Sequence, residues 1–296
     1  DGQQTPGVDY SLEDKRAIAL MLDRLGIDYI EGGYPGANPT DSAFFADAPP
    51  LKATFTAFGM TKRPGRSISN DPGFQALLAA KADAICLVGK TWDFHVDVAL
   101  GITLEENLAG IKESVEAVVA SGREALLDCE HFFDGYKANP DYALSVLQAA
   151  HDAGAERLVL CDTNGGTLPG ETVAAIEKMK ATIPEALVGV HYHDDVGTAV
   201  ASSLYAVEAG VTQVQGCRPR RLRTNQSTGP TTNIIASRTA QVDPVPKSQK
   251  NGKAMAIRAA DSIGGLGSAL CGPMASSGAQ CHSGRGPAAR GLPERI

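Results

Sequence analysis

Apolar residues recur along the first 217 positions in two alternating rhythms. Short dense runs fall at 27–31, 53–58, 84–88, 124–129, 157–162, 186–191 and 211–216, with the length and composition of buried strands. The stretches between them carry apolar residues at helical spacing, as at Ile18, Met21, Leu22 and Leu25. Several of these helices have readable starts. Ser11-Leu12-Glu13-Asp14 sets a capping serine three residues before an acid, Thr103-Leu104-Glu105-Glu106 reads as a capping box, and Asn139-Pro140 pairs a cap with proline at the first helical position. Leu25-Gly26-Ile27, Ala153-Gly154-Ala155 and Ala209-Gly210-Val211 each close a helix on glycine and enter a strand at once, and Lys81-Ala82-Asp83 sits similarly. The spacing predicts a repeated βα unit.

Seven strands follow the opening loop, and a strand ending just before Asp1 would make eight. The expected fold class is therefore α/β, a TIM (β/α)8 barrel incomplete at its first strand and last helix. A doubly wound open sheet would also collect strand ends along one edge. In either case Glu31, Lys90, Asp128, Glu130, Asp162, Thr163, His191 and His193 sit at or just past strand ends, where side chains of different units converge.

Composition divides the chain. Residues 1–217 hold 15 Lys and Arg against 31 Asp and Glu and all 16 aromatic residues, whereas 218–296 hold 12 against 3 and no aromatic residue. The expected organisation is a catalytic barrel at 1–217, truncated at its N-terminus, and a basic Gly/Pro-rich segment at 218–296. With 10 Gly and 7 Pro and no sustained period, that segment is expected to be disordered. A shifted reading frame or foreign fusion after Cys217 accounts for it, and a basic arm for nucleic acid is disfavoured because stacking aromatics are absent. Six cysteines without a C-x-x-C pair suit reduced core thiols, no run of 18 apolar residues exists, and the N-terminus lacks an export signal. A cytoplasmic location without membrane contact is expected. The start at Asp1 without methionine reads as a fragment or processed product.

The sharpest chemical signal is His191-Tyr192-His193-Asp194-Asp195, directly after the apolar run 186–190. Alternation along a strand points both imidazoles to one side, and such a pair, completed by a distant carboxylate, suits a catalytic divalent metal. Buried hydrogen-bonding histidines fit the same spacing.

The stretches DGQQTPGV, IDYIEGGYPGANP, VGKTWDFHV, LDCEHFFDGYKANPDYAL, LCDTNGGTLP and HYHDDVGTAVASSLYAVEAGVTQVQG together resemble the citramalate synthases. These belong with 2-isopropylmalate and homocitrate synthases in a larger group of metal-dependent barrel lyases and synthases. The resemblance covers residues 1–217. It implies that Asp1, His191 and His193 bind Mg²⁺, Mn²⁺ or Zn²⁺, that Glu130 does acid/base work, and that Thr163 holds the substrate carboxylate. Gln4 and Asp128 are implied at the substrate. Asp194, where the family usually has Asn, and Asp195 are expected behind the metal ligands, with Asp195 orienting an imidazole.

The implied reaction joins acetyl-CoA to pyruvate, giving (R)-citramalate and CoA in isoleucine and branched-chain amino acid biosynthesis, in full-length relatives that form homodimers. Burial near the barrel's apolar interior is expected to bring Glu130 toward neutrality as the base. Pocket size at Leu87 and Asp128 would separate pyruvate from the bulkier 2-oxo acids of 2-isopropylmalate or homocitrate synthesis. A lyase running the reverse direction shares the ligands, and an inactive fragment is the reading from another class. Two departures stand out: the family's Arg before Asp1 is absent, and after Cys217 its Gly-rich loop bearing Glu and Asn is replaced by Arg218-Pro219-Arg220-Arg221-Leu222-Arg223.

Overall fold

The computed structural model describes residues 9–217 and the backbone of Ile235–Thr239. Seven parallel strands alternate with helices in chain order. They are β1 (Tyr29–Glu31), β2 (Thr54–Met60), β3 (Ala84–Lys90), β4 (Glu124–Glu130), β5 (Arg157–Asp162), β6 (Val188–Tyr192) and β7 (Gln213–Cys217). Each pairs in parallel with the next. The interspersed helices are α1 (Leu12–Arg24), α2 (Pro39–Ala46), α3 (Pro72–Ala79), a single turn α4 (Asp93–His95), α5 (Leu104–Ala120), α6 (Phe132–Ala138), α7 (Pro140–Asp152), α8 (Pro169–Thr182) and α9 (Ala199–Glu208). The three caps read from the sequence all form: Ser11 and Thr103 in reciprocal capping boxes, and the Asn139 side chain on the Tyr142 amide.

Closure differs from expectation. An eighth strand, β8 (Ile235–Thr239), joins β7 and β1 and runs antiparallel to both. These five residues fall within the segment expected to be disordered; the remainder of 218–296 lies outside the described residues. A parallel strand here would need a crossover back to the start of β7, usually through a helix, whereas an antiparallel one returns directly. Pairing also covers two edges whose N–H and C=O groups would otherwise face away from any ladder. No helix follows β7 among the described residues.

Strand alternation divides the side chains between two environments. Ile85, Leu87, Leu127 and Cys129 belong to the large core formed with the helices, which includes Phe44, Phe45, Ile111, Phe132 and Leu147. Ala84, Cys86 and Leu126 form a separate small cluster with Tyr29 inside the barrel. By the same period of two, Asp128 and Glu130 follow Leu126 toward the interior. Leu87 therefore packs against the helices and does not share a pocket with Asp128, which corrects its expected role in substrate selection. Cys86, Cys129 and Cys161 are buried free thiols, and burial pushes all three well above the usual thiol range. Among the described residues no helix is long and apolar enough to cross a membrane.

Candidate metal and acid/base site

The C-terminal ends of the strands bring three groups of side chains together. The first is a chain across the barrel. Gln215 on β7 donates through Nε2 to Asp128 Oδ1 on β4 at 3.0 Å, and its Oε1 lies 3.0 Å from His191 Nδ1. Because that oxygen can only accept, His191 carries its proton on Nδ1 and its lone pair on Nε2. The second group is anchored by the loop after β5: His193 Nδ1 lies 2.8 Å from the Thr163 carbonyl oxygen. A carbonyl also only accepts, so His193 has the same tautomer. The two rings stand 5.3 Å apart, edge to face.

This is the arrangement that metal-ligating histidines use, with one nitrogen fixed by an acceptor and the other bearing the ligating lone pair. Burial, opposed by the Asp128 charge, lowers the pKa of His191 and favours the neutral ring that a cation requires. The donor set therefore fits a divalent metal at the pair. Asp1 and Gln4 lie outside the described residues, and among the described residues no group of three ligands gathers. The Nδ1 atoms of the two histidines meet Gln215 and the Thr163 carbonyl, not Asp195. Asp194 Oδ1 accepts from the Ala199 amide at 2.9 Å, at the start of α9, and both carboxylates are solvent-exposed.

The third group is Glu130 on β4, which forms an ion pair with Lys90 on β3. Paired register puts these two residues side by side at the rim. Glu130 thus faces an ammonium, in place of the apolar surroundings expected for it. The next residue, His131, adopts the left-handed backbone conformation with φ 55°. Its amide donates to Thr163 Oγ1 at 2.9 Å, which leaves the hydroxyl proton of Thr163 for another acceptor. His131 also meets His95 edge to face at 4.2 Å, and Trp92 stacks on His95 at 4.9 Å.

At Glu31, at the end of β1, burial, then the Asp128 charge, raises the carboxyl to about 8. Burial raises Asp128 as well, opposed by His191 and by hydrogen bonds from Cys86 and Gln215. Asp162 braces the loop before α8, accepting from the Thr167 amide and hydroxyl at 3.0 and 2.9 Å. Gln215 was not singled out from the sequence. Its signal was present two residues after Gln213 on the last parallel strand, where an amide pair on one face of a barrel strand is buried only if it has partners.

Residues 1–218 match the HMGL-like family. The chain belongs to that family. Over 219 residues it is 52% identical to the (R)-citramalate synthase of Aquifex aeolicus, covering 73% of this chain and 42% of that protein. It is 34% identical over 221 residues to the 2-isopropylmalate synthase of Prochlorococcus marinus, covering 73% of this chain and 40% of that one. The chain thus spans about two fifths of the length of these curated relatives. Among solved structures, the HMG-CoA lyase of Bacillus subtilis superposes with a TM-score of 0.59 at 21% identity, over 72% of each chain. That likeness establishes the shared barrel.

Proposed function

We propose that the barrel is the catalytic part of an acyltransferase that condenses acetyl-CoA with pyruvate to give (R)-citramalate and CoA, in the cytoplasm. The observation that carries this reading is the much higher identity to (R)-citramalate synthase than to 2-isopropylmalate synthase over the same residues. The pair of Nδ1-anchored histidines supports it from the side of the chemistry.

In this reading His191 and His193, with Asp1, hold a divalent cation. When bound, that cation would chelate the 2-oxo acid and polarise its carbonyl. Thr163 donates a hydrogen bond from its hydroxyl to the pyruvate carboxylate while accepting one from the His131 amide. Glu130 takes a proton from the acetyl methyl group, and the Lys90 ammonium beside it stabilises the carboxylate that does so. The resulting carbanion equivalent forms a bond to C2 of pyruvate, whose keto oxygen takes up a proton. Water then cleaves the thioester, releasing CoA and the dicarboxylic product.

The test is metal-dependent release of CoA from acetyl-CoA with pyruvate or 2-oxoisovalerate as acceptor. Adding methyl groups to a packed acceptor pocket costs on the order of 1 to 3 kcal/mol, or roughly 5- to 150-fold in rate. Pyruvate should be favoured by that margin, and a His191→Ala, His193→Ala double variant should release no CoA above background. Equal turnover of the two acceptors would remove the citramalate reading.

A further inference from the structure

Two imidazoles at the C-terminal ends of the strands have no part in the reaction as set out above. The chain has six histidines. His191 and His193 make the metal pair, and His151 sits in the last turn of α7, which leads into the opposite end of β5. His95, in the turn after β3, and His131, directly after Glu130, remain among the described residues. They meet edge to face at 4.2 Å.

The two rings are held differently. His95 Nδ1 is buried with no hydrogen-bond partner, and burial, then the nearness of His131 and Lys90, lowers the pKa of that ring. A buried polar atom left unpaired often marks a place where function has outweighed stability. His131 Nδ1 instead lies 3.2 Å from Asp134 Oδ2, and the same carboxylate oxygen accepts from Asn164 Nδ2 at 3.0 Å. A carboxylate only accepts, so a neutral His131 carries its proton on Nδ1 and presents a lone pair at Nε2. That Nε2 makes no hydrogen bond among the described residues.

An imidazole oriented by a carboxylate, with its far nitrogen free, is the arrangement of a general base. The backbone sets it beside the chemistry: the His131 amide is bonded to Thr163 Oγ1 at 2.9 Å, and the preceding residue is Glu130. The φ of 55° at His131 belongs to a class of outliers that cluster at active sites, where the surroundings over-determine them. The reaction also asks for a second base. Condensation leaves on Glu130 the proton taken from the acetyl methyl group, and a carboxyl so loaded cannot at once deprotonate water. Lys90, as an ammonium, has no lone pair to offer.

We propose that His131, oriented by Asp134, is the base for hydrolysis of the thioester, separate from Glu130, which serves the condensation. The inference rests on the citramalate reading. His131 Nε2 takes a proton from water as the water oxygen bonds to the thioester carbonyl carbon. The C–S bond then breaks, sulfur leaves with the electron pair, and the proton on Nε2 passes to it. Thioester and water thus become carboxylic acid and thiol, no further reactant is consumed, and the imidazole ends as it began.

Two variants of the full chain remove the ring and keep the backbone: His131→Gly, since glycine adopts the left-handed region freely, and His131→Asn, since asparagine tolerates it. Each is given Mn²⁺, acetyl-CoA and pyruvate, the reaction is quenched in acid, and the CoA esters are identified by mass spectrometry. The parent should yield citramalate and free CoA in equal amounts. Both variants should accumulate citramalyl-CoA and should hydrolyse added citramalyl-CoA about 100-fold or more slowly than the parent, the share that general base catalysis commonly supplies. Added imidazole should restore hydrolysis in His131→Gly, and Asp134→Asn should fall between the parent and the His131 variants. A residue that only packs the loop would neither separate the two halves of the reaction nor respond to imidazole.

Calorimetric Mn²⁺ binding equal to that of the parent shows that the barrel is intact. Variants that hydrolyse citramalyl-CoA at the parent rate, or that lose condensation and hydrolysis to the same degree with no rescue by imidazole, would overturn the role of His131 and leave the reaction in place. A parent that forms no citramalate would overturn the reading of the reaction, and this inference with it.

Discussion

Gln215 holds His191 across 24 residues of sequence and one strand pairing, its Oε1 3.0 Å from His191 Nδ1 while its amide nitrogen is fixed on Asp128. The amide is thereby locked in one orientation, and the imidazole in one tautomer. Gln215→Leu removes the acceptor and leaves the ring to rotate or change tautomer. Partners behind a ligating histidine are worth about 10- to 100-fold in metal affinity. A Mn²⁺ titration of Gln215→Leu should show that loss, and an unchanged affinity would mean that the ring is oriented by something else.

Glu31 supplies a pH prediction for metal-free protein. Its folded pKa of about 8 exceeds the ordinary value of 4.5, so the folded state binds the proton more tightly than the unfolded chain. Its stabilising contribution is complete below about pH 4.5 and declines as pH rises toward 8. Glu31→Gln removes this decline and should make the protein more stable at pH 8 than the parent by on the order of a few kcal/mol. The two should approach one another near pH 5. Thermal melts in chelator at both pH values test this, and a pH-independent difference would sink it.

His131 carries a local backbone cost, since a residue with a Cβ in the left-handed region is disfavoured by about 1 to 2 kcal/mol. Asparagine tolerates that region and a β-branched residue does not. His131→Asn and His131→Val both lose the ring contact with His95, and repeating the pair in an Asp134→Ala background, which removes the 3.2 Å partner of the ring nitrogen, leaves a difference that reports the backbone. His131→Val should be the less stable by about 1 to 2 kcal/mol in denaturant unfolding. It should also weaken pyruvate binding, because the shifted amide no longer holds Thr163. Equal stability of the two variants would show that the conformation is not constrained.

Gly135 on α6 lies against the strand β3 exit: a Cβ there would stand 2.6 Å from the Thr91 carbonyl oxygen and 2.8 Å from Trp92 Cα. Replacing a helical glycine by alanine ordinarily gains about 1 kcal/mol. Here the obstacle is backbone, which cannot rotate away, so Gly135→Ala should instead destabilise by roughly 1 to 3 kcal/mol. The Thr91 amide bonds to the Glu130 carbonyl at 3.2 Å, so the same shift should reach Glu130 and lower turnover. A stabilised Gly135→Ala protein would refute the close approach.

Local sequence pattern alone specified the seven parallel strands, the helices between them, three of their caps and the histidine pair. Those features depend on contacts within a few residues, such as Ser11 with Asp14 and Thr103 with Glu106, or on the period of two that sends His191 and His193 to one side. It also located Glu130 and Thr163 at strand ends. What surrounds those side chains was decided only by barrel closure. Lys90 and Glu130 are 40 residues apart, and Asp128 and Gln215 are 87 apart. Such pairs meet because strand register and curvature bring them together, and no local pattern encodes that distance. Leu87 and Asp128, one residue of neighbouring register apart, face opposite sides for the same reason. The direction of β8 likewise follows from which edges remain to be paired once seven strands have curved round, a property of the assembled sheet.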